Sequence, residues 1–215
     1  MEENEENEQT SQSIKICLLG NSGVGKTCII DRYIDSKYND NQSPNQGSIC
    51  FTKILNRNGK KINLDIWDTA GQEQYRSLGQ YFYKDSYIII LVYDITVRDS
   101  FEDLKKVWYS EIQENGEKDI ILGVVGNKSD LYENENNPEE EAKKFADEIN
   151  ATFMLISAKT GNNINVLFEK LIDKYLEKVH QKHLEEMGGK FKETIKLNKN
   201  DKNDKNDQKT KKKCC

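Results

Sequence analysis

Short apolar runs alternate with amphipathic stretches along the middle of the chain, and the change of period separates strands from helices. Ile14-Lys-Ile-Cys-Leu-Leu19 reads as a buried strand that runs straight into Gly20-Asn-Ser-Gly23, and a helix follows from about Lys26 to Ser36. Phe51-Thr-Lys-Ile-Leu55 and Lys61-Ile-Asn-Leu-Asp-Ile-Trp67 alternate with period two, and Asn58-Gly59 between them is a strong hairpin signal. Tyr87–Tyr93 and Ile120–Val125 are continuous and rich in β-branched residues, as strands covered on both faces are. Thr152–Ile156 is a shorter strand. Helices are predicted at about Ser100–Asn115, Pro138–Ile149 and Ile164–Lys182, with Pro138 suited to a first helical turn. The pattern predicts an α/β fold: a doubly wound, mostly parallel six-stranded sheet, helices on both faces and one antiparallel edge pair.

Composition confines that fold to part of the chain. Of the 215 residues, 35% are hydrophobic and 32% charged, and the apolar deficit is concentrated at the ends. Met1 to Ser13 is a run of Glu and Asn, and the stretch after about Leu184 is dominated by Lys, Asn and Asp. Neither end can bury enough surface to offset the entropy of ordering, so residues 1–13 and 184–215 read as disordered, flanking one domain over 14–183. The net charge of −5 argues against nucleic-acid binding, which a basic domain would serve. No stretch approaches the roughly 20 apolar residues that cross a bilayer. The start lacks a secretory signal, and Glu2 excludes N-myristoylation, so the expected setting is cytoplasmic. Cys17, Cys28 and Cys50 are isolated, and His180 with His183 makes no closed metal site.

Gly20-Asn-Ser-Gly-Val-Gly-Lys-Thr27 fits the G-x-x-x-x-G-K-[ST] pattern and lies between a buried strand and a helix, where that pattern must lie. Glycines let backbone N–H groups turn around an anion, and the helix N-terminus adds its dipole. Lys26 supplies a charge for the outer phosphates and Thr27 a hydroxyl for magnesium. The loop indicates a nucleoside triphosphate without specifying the base. Asn127-Lys-Ser-Asp130 follows another central strand, and the Asp130 carboxylate can accept both the ring N–H and the exocyclic amine of guanine. Adenine presents no such donor pair, which argues against an ATP-using kinase. Asp68-Thr-Ala-Gly-Gln72 follows the third strand: Asp68 can reach magnesium through water, the Gly71 N–H the terminal phosphate, and Gln72 the attacking water. Ser157-Ala158-Lys159 completes the set after the sixth strand.

These four segments resemble the Ras superfamily of small GTPases. Trp67 before the Asp-Thr-Ala-Gly-Gln run, Tyr93-Asp-Ile-Thr96 and the terminal Cys214-Cys215 resemble the Rab branch. The Arf and Rho branches fit less well, the first for want of Gly at position 2 and the second because 131–137 has no room for an inserted helix. The resemblance implies a phosphate-loop G-domain that binds GTP or GDP with Mg2+ and hydrolyses GTP, with Gln72 as the catalytic residue. It implies nucleotide contacts from Ser22, Gly23, Val24, Gly25, Lys26, Thr27 and Cys28, from Tyr38 packed on the guanine, and from Gly71. Asn127, Lys128, Asp130, Ser157, Ala158 and Lys159 complete the nucleotide set, and Thr27 and Asp68 hold the metal. The implied partners are an exchange factor, a GTPase-activating protein, switch-region effectors, and an escort and a GDP-dissociation inhibitor for the lipidated form. No nucleic acid is expected, and the chain reads as a monomer.

One segment departs from that pattern. The family carries a threonine within Thr-x-Gly in its first switch, whereas this chain has Gln42-Ser-Pro-Asn-Gln-Gly-Ser-Ile-Cys-Phe51. Counting forward from Lys26 puts Asn45 at the threonine position, and counting back from Phe51 puts Gln46 there. Asn45 can offer an amide oxygen, Ser43 or Ser48 can swing in a hydroxyl, or the contact is missing. The first two outcomes leave a switch, and the last leaves a nucleotide-binding pseudo-GTPase or scaffold. At the other end, Lys211 to Lys213 precede Cys214 and Cys215, which resemble a pair of geranylgeranylated thiols. Two lipid chains anchor stably, and each lysine adds about 1 kcal/mol at an anionic surface. The expected location is therefore the cytosolic face of an endomembrane, in vesicle traffic.

Overall fold

The computed structural model describes residues 12–40, 42, 47–57, 59–69, 82–116 and 119–207, with Gln12 and the last 21 of these by main chain alone. Its six strands are β1 (Gln12–Leu19), β2 (Ile49–Arg57), β3 (Lys60–Asp68), β4 (Ile88–Asp94), β5 (Ile121–Asn127) and β6 (Thr152–Leu155). They form one sheet in the order β2-β3-β1-β4-β5-β6, parallel except for the β2–β3 hairpin at one edge. This is the expected α/β architecture. Arg57 pairs with Lys60, which makes a two-residue turn, and Gly59 takes the left-handed conformation that such a turn demands (φ 76°). Asn58 lies outside the described residues.

Burial follows the pattern of the sequence. All seven residues of β4 are buried, as its unbroken apolar run requires, and Ile14, Ile16, Cys17, Leu18 and Leu19 of β1 are at most 1% exposed. The edge strand β2 alternates between exposed and half-buried positions instead. Four helices are described: α1 (Lys26–Asp35), α2 (98–115), α3 (Glu139–Glu148) and α4 (Ile164–Asp207). Two short 3-10 pieces within Ser129–Asn134, meeting at a kink at Leu131, run into the segment read as too short for an extra helix. On one flank Phe101 sits 5.0 Å from Tyr93 and edge-on to Phe145, and on the other Tyr33 of α1 stacks on Phe168 at 3.7 Å. A buried side chain of this size stabilises the fold by about 1.5–3 kcal/mol.

Three boundaries differ from the sequence reading. Pro138 is the residue before α3 rather than part of its first turn, with an extended ψ of 125°. The helix read as Ser100–Asn115 begins at Arg98 and is not uniform: Arg98–Asp103 and Ser110–Asn115 are α, while Leu104–Tyr109 between them is π-helical. The last helix does not end near Lys182 but continues to Asp207. Beyond Lys182 the chain is dominated by Lys, Asn and Asp and contains no proline, so no ring blocks the helix, although little apolar surface rewards it. The chain divides into two compact units, Met1–Ile172 and Asp173–Cys215, and the division falls inside α4.

Candidate functional site

Residues 20–25 join β1 to α1 at the point where the strand order reverses, with β3 on one side of β1 and β4 on the other. Such a reversal opens a crevice at the carboxyl ends of the strands. Two glycines are needed to build the loop there. Gly20 has φ 149°, and a Cβ on it would lie 2.2 Å from the Val92 carbonyl oxygen. Gly25 has φ 95°, and a Cβ on it would lie 2.4 Å from Asn127 Nδ2. Because α1 starts at Lys26, its first N–H groups have no partners within the helix and suit an anion.

Lys26 is only 5% exposed. Its Nζ donates to the carbonyl oxygens of Gly20 (2.7 Å) and Asn21 (2.9 Å). Burial pulls its pKa down to about 8, against an opposing pull from Asp68. A buried ammonium whose neighbours are carbonyl dipoles is a site prepared for phosphate. The Thr27 hydroxyl donates to Asp68 Oδ2 at 2.6 Å, and Asp68 is fully buried, which pushes its pKa up. Two adjacent hard oxygen donors, one of them a carboxylate, fit a magnesium ion that draws its other oxygens from phosphate and water. Thr69 anchors the end of β3 by donating to the Leu18 carbonyl oxygen at 2.7 Å.

A cleft of about 380 Å³ extends from this loop to the ends of β5 and β6. Asn127, 1% exposed, joins its two ends. Its Nδ2 donates to the Val24 carbonyl oxygen at 2.8 Å, and its Oδ1 accepts the Ala158 N–H at 3.1 Å. Ser157 donates to Asp130 Oδ1 at 2.6 Å and accepts the Thr160 N–H at 3.0 Å, which holds the Asp130 carboxylate at the rim of the cleft. Lys128 adopts a left-handed conformation (φ 68°) and pairs with Asp94 Oδ2 at 2.6 Å. The other Asp94 oxygen accepts the backbone N–H and hydroxyl of Thr96.

The sequence-derived candidates converge here. Ser22, Gly23, Gly25, Lys26, Thr27, Cys28, Tyr38, Asn127, Lys128, Asp130, Ala158 and Lys159 all line this one cleft. Val24 contributes a carbonyl from behind it, and Ser157 acts through Asp130. Burial raises the Cys28 thiol above its usual range, and desolvation pushes the Tyr38 phenol up to about 12. Gly71, Gln72, Ser43, Asn45, Gln46, Cys214 and Cys215 lie outside the described residues. Ser48 is described, and its hydroxyl oxygen is buried with no hydrogen-bond partner among the described residues.

Arg32 was not legible as a site residue. From α1 its Nε donates to the Ala158 carbonyl oxygen (2.8 Å), Nη2 to that of Lys159 (2.7 Å) and Nη1 to that of Ser36 (2.7 Å). Its guanidinium also lies 5.8 Å from the centre of the Tyr38 ring. One side chain thus ties the helix behind the phosphate loop to the loop after β6. No motif marks it, since in sequence it is one polar residue on an amphipathic helix.

The strand order and the glycine loop before α1 define the phosphate-loop class of α/β proteins. Comparison with known proteins narrows that class. The model of the Ras family matches residues 15–177. Ras-related protein Rab-31 of Rattus norvegicus is 40% identical over 158 residues, covering 74% of this chain and 80% of that protein. Ras-related protein Rab-22A of Homo sapiens is 40% identical over 157 residues, covering 73% and 80%. Ras-related protein RABD2a of Arabidopsis thaliana is 42% identical over 154 residues, covering 72% and 75%. The chain belongs to the Rab family of Ras-related small GTPases. Members of that family are GTPases that bind GTP and GDP with magnesium and work with exchange factors, activating proteins, effectors and GDP-dissociation inhibitors. Among the described residues no helix is long and apolar enough to cross a membrane.

Proposed function

We propose that this protein is a GTP-hydrolysing switch of vesicle traffic, cycling between GTP and GDP in this cleft. The observation that carries the reading is Asn127, which holds the phosphate loop and the base-side loop in one cleft through a single buried amide. Lys26 takes the outer phosphates, and the N–H groups of 22–28 surround them. Asp130 reads the ring N–H and exocyclic amine of guanine, Tyr38, Lys128 and Lys159 flank the ring, and Ala158 contributes its backbone. Thr27 and Asp68 would hold magnesium, which would supply positive charge against the outer phosphates. Gly71 contacts the terminal phosphate and Gln72 orients the attacking water. The phosphate loop holds no arginine, so a partner supplies the rest of the transition-state charge. Cys214 and Cys215 carry two prenyl groups that keep the protein on the cytosolic face of an endomembrane.

A second reading rests on the stretch from Gln42 to Phe51, which contains no threonine. In it the protein binds nucleotide but does not switch. Two measurements separate the possibilities. GDP with magnesium raises the melting temperature and ADP does not; equal shifts would remove the guanine assignment. In single turnover the native chain hydrolyses GTP slowly and Gln72→Leu suppresses it; binding by both without hydrolysis by either would favour the pseudo-GTPase.

A further inference from the structure

The second residue of the phosphate loop, Asn21, does not line the cleft, yet both functional groups of its side chain are engaged. Its Nδ2 donates to Asp103 Oδ2 at 2.6 Å, and its Oδ1 accepts the indole N–H of Trp108 at 2.8 Å. Both partners belong to α2. On the other side its main-chain oxygen accepts Lys26 Nζ at 2.9 Å. The residue therefore links a side-chain clamp on α2 to the ammonium in the phosphate loop.

The clamp depends on the irregularity in α2. At 3.6 residues per turn, positions five apart are separated by about 140° around the helix and face different neighbours. Asp103 and Trp108 are five apart. Leu104–Tyr109 is π-helical, and i→i+5 bonding brings such positions toward one face, where both reach the same amide. Trp108 is 2% exposed, so its N–H needs an internal acceptor, and Asn21 supplies it. The amide-to-carboxylate bond with Asp103 is charge-assisted and is the stronger of the two.

We infer that Asn21 is a positioning residue: gripped by Asp103 and Trp108, it fixes the carbonyl that orients Lys26 and so sets how long the nucleotide phosphates are retained. α2 becomes the element through which changes at the protein surface reach the phosphate loop. Its outer side carries Arg98, Glu102 and Lys105, which are ion-paired among themselves and with Glu141 of α3. This role for Asn21 rests on the nucleotide-binding reading of the cleft.

The test exchanges the two partners. Asn21→Asp keeps the acceptor for Trp108 but sets a carboxylate against Asp103, and Asn21→Asp with Asp103→Asn restores an amide–carboxylate pair in reverse. The readout is dissociation of N-methylanthraniloyl-GDP from the full chain with magnesium, chased with excess GDP. The single variant releases it about tenfold faster, and the double variant returns to within about twofold of the native rate. Equal rates for native and single variant, or a double variant as fast as the single, would overturn the inference. Should Asn21→Asp not fold, Trp108→Phe removes the indole N–H together with part of the buried ring and accelerates release by about threefold, and an unchanged rate there is equally fatal. A native chain that fails to retain the probe at all removes the proposed nucleotide switch and this inference with it. Retention by the native chain with no response to the variants removes this inference alone.

Discussion

At the phosphate end of the cleft the site is made of backbone conformation and buried charge, whereas at the base end it is made of side chains that tie loops together. The loop before α1 relies on glycine where a Cβ has no room, and on one ammonium that is 5% exposed. The base end relies on Asn127, Ser157, Asp130 and Arg32, each bonding across elements far apart in sequence. The difference teaches what each end can tolerate. A backbone cradle has few acceptable sequences but needs little support. A side-chain web admits change at single positions, and each loss loosens geometry rather than abolishing it.

The largest expected effect is at the phosphate end. Lys26→Ala weakens GDP binding by about 4 kcal/mol, roughly a thousandfold by titration calorimetry, because a charged pair in a buried site is lost. The same substitution leaves the nucleotide-free protein no less stable to heat. The Lys26 pKa falls from 10.5 to about 8 on folding, so below that range the group opposes folding, and stability rises between pH 8 and 10.5 as it is relieved of its proton. A parallel fall in melting temperature would show that Lys26 holds the fold rather than the ligand.

Next comes Asp130→Ala at the base end. It removes the acceptor for two guanine N–H groups and weakens GDP binding by about 3 kcal/mol, near a hundredfold, while binding of inosine diphosphate, which lacks the exocyclic amine, falls less. Equal losses for both would mean that Asp130 acts only by holding Ser157. Smaller still is Arg32→Gln, which cuts the tie between α1 and the Ala158–Lys159 carbonyls. It speeds GDP release by about tenfold, through looser geometry rather than a lost ligand contact. Single-turnover hydrolysis of already bound GTP stays within about twofold of native.

The two ends were also unequally legible in the sequence. Gly20 to Thr27 announces itself, because left-handed backbone and close approach demand glycine, and phosphate demands a cation. Asn127-Lys-Ser-Asp130 and Ser157-Ala-Lys159 were legible once their strands were recognised, and the apolar runs of β1, β4 and β5 made that recognition straightforward. What stayed hidden depends on tertiary contact. Arg32 acts across 126 residues on Ala158, and Asn127 spans two loops that no spacing rule connects. The π-helical turn of α2 was illegible because i→i+5 bonding has no residue signature. The continuation of α4 past Lys182 was missed because the stretch lacks the apolar face by which a helix is read.

The smallest effect separates the two ends by pH. In the free protein burial holds Lys26 near 8, within the range over which binding can be followed. Phosphate favours the protonated ammonium, so the bound pKa lies higher than the free one and binding above pH 8 takes up a proton. GDP affinity therefore falls as pH rises through 8, by about fivefold between pH 7 and 8.7, following the protonated fraction of free Lys26. The sign is opposite to that of fold stability, which the same group favours at higher pH. Calorimetry in two buffers of different ionisation enthalpy detects the uptake directly. Lys26→Arg is the control: the guanidinium stays charged throughout, so whatever its affinity, the slope should vanish. A slope that survives in Lys26→Arg would assign the titration to another group, and the buried ammonium would then no longer be what sets the phosphate end apart from the base end.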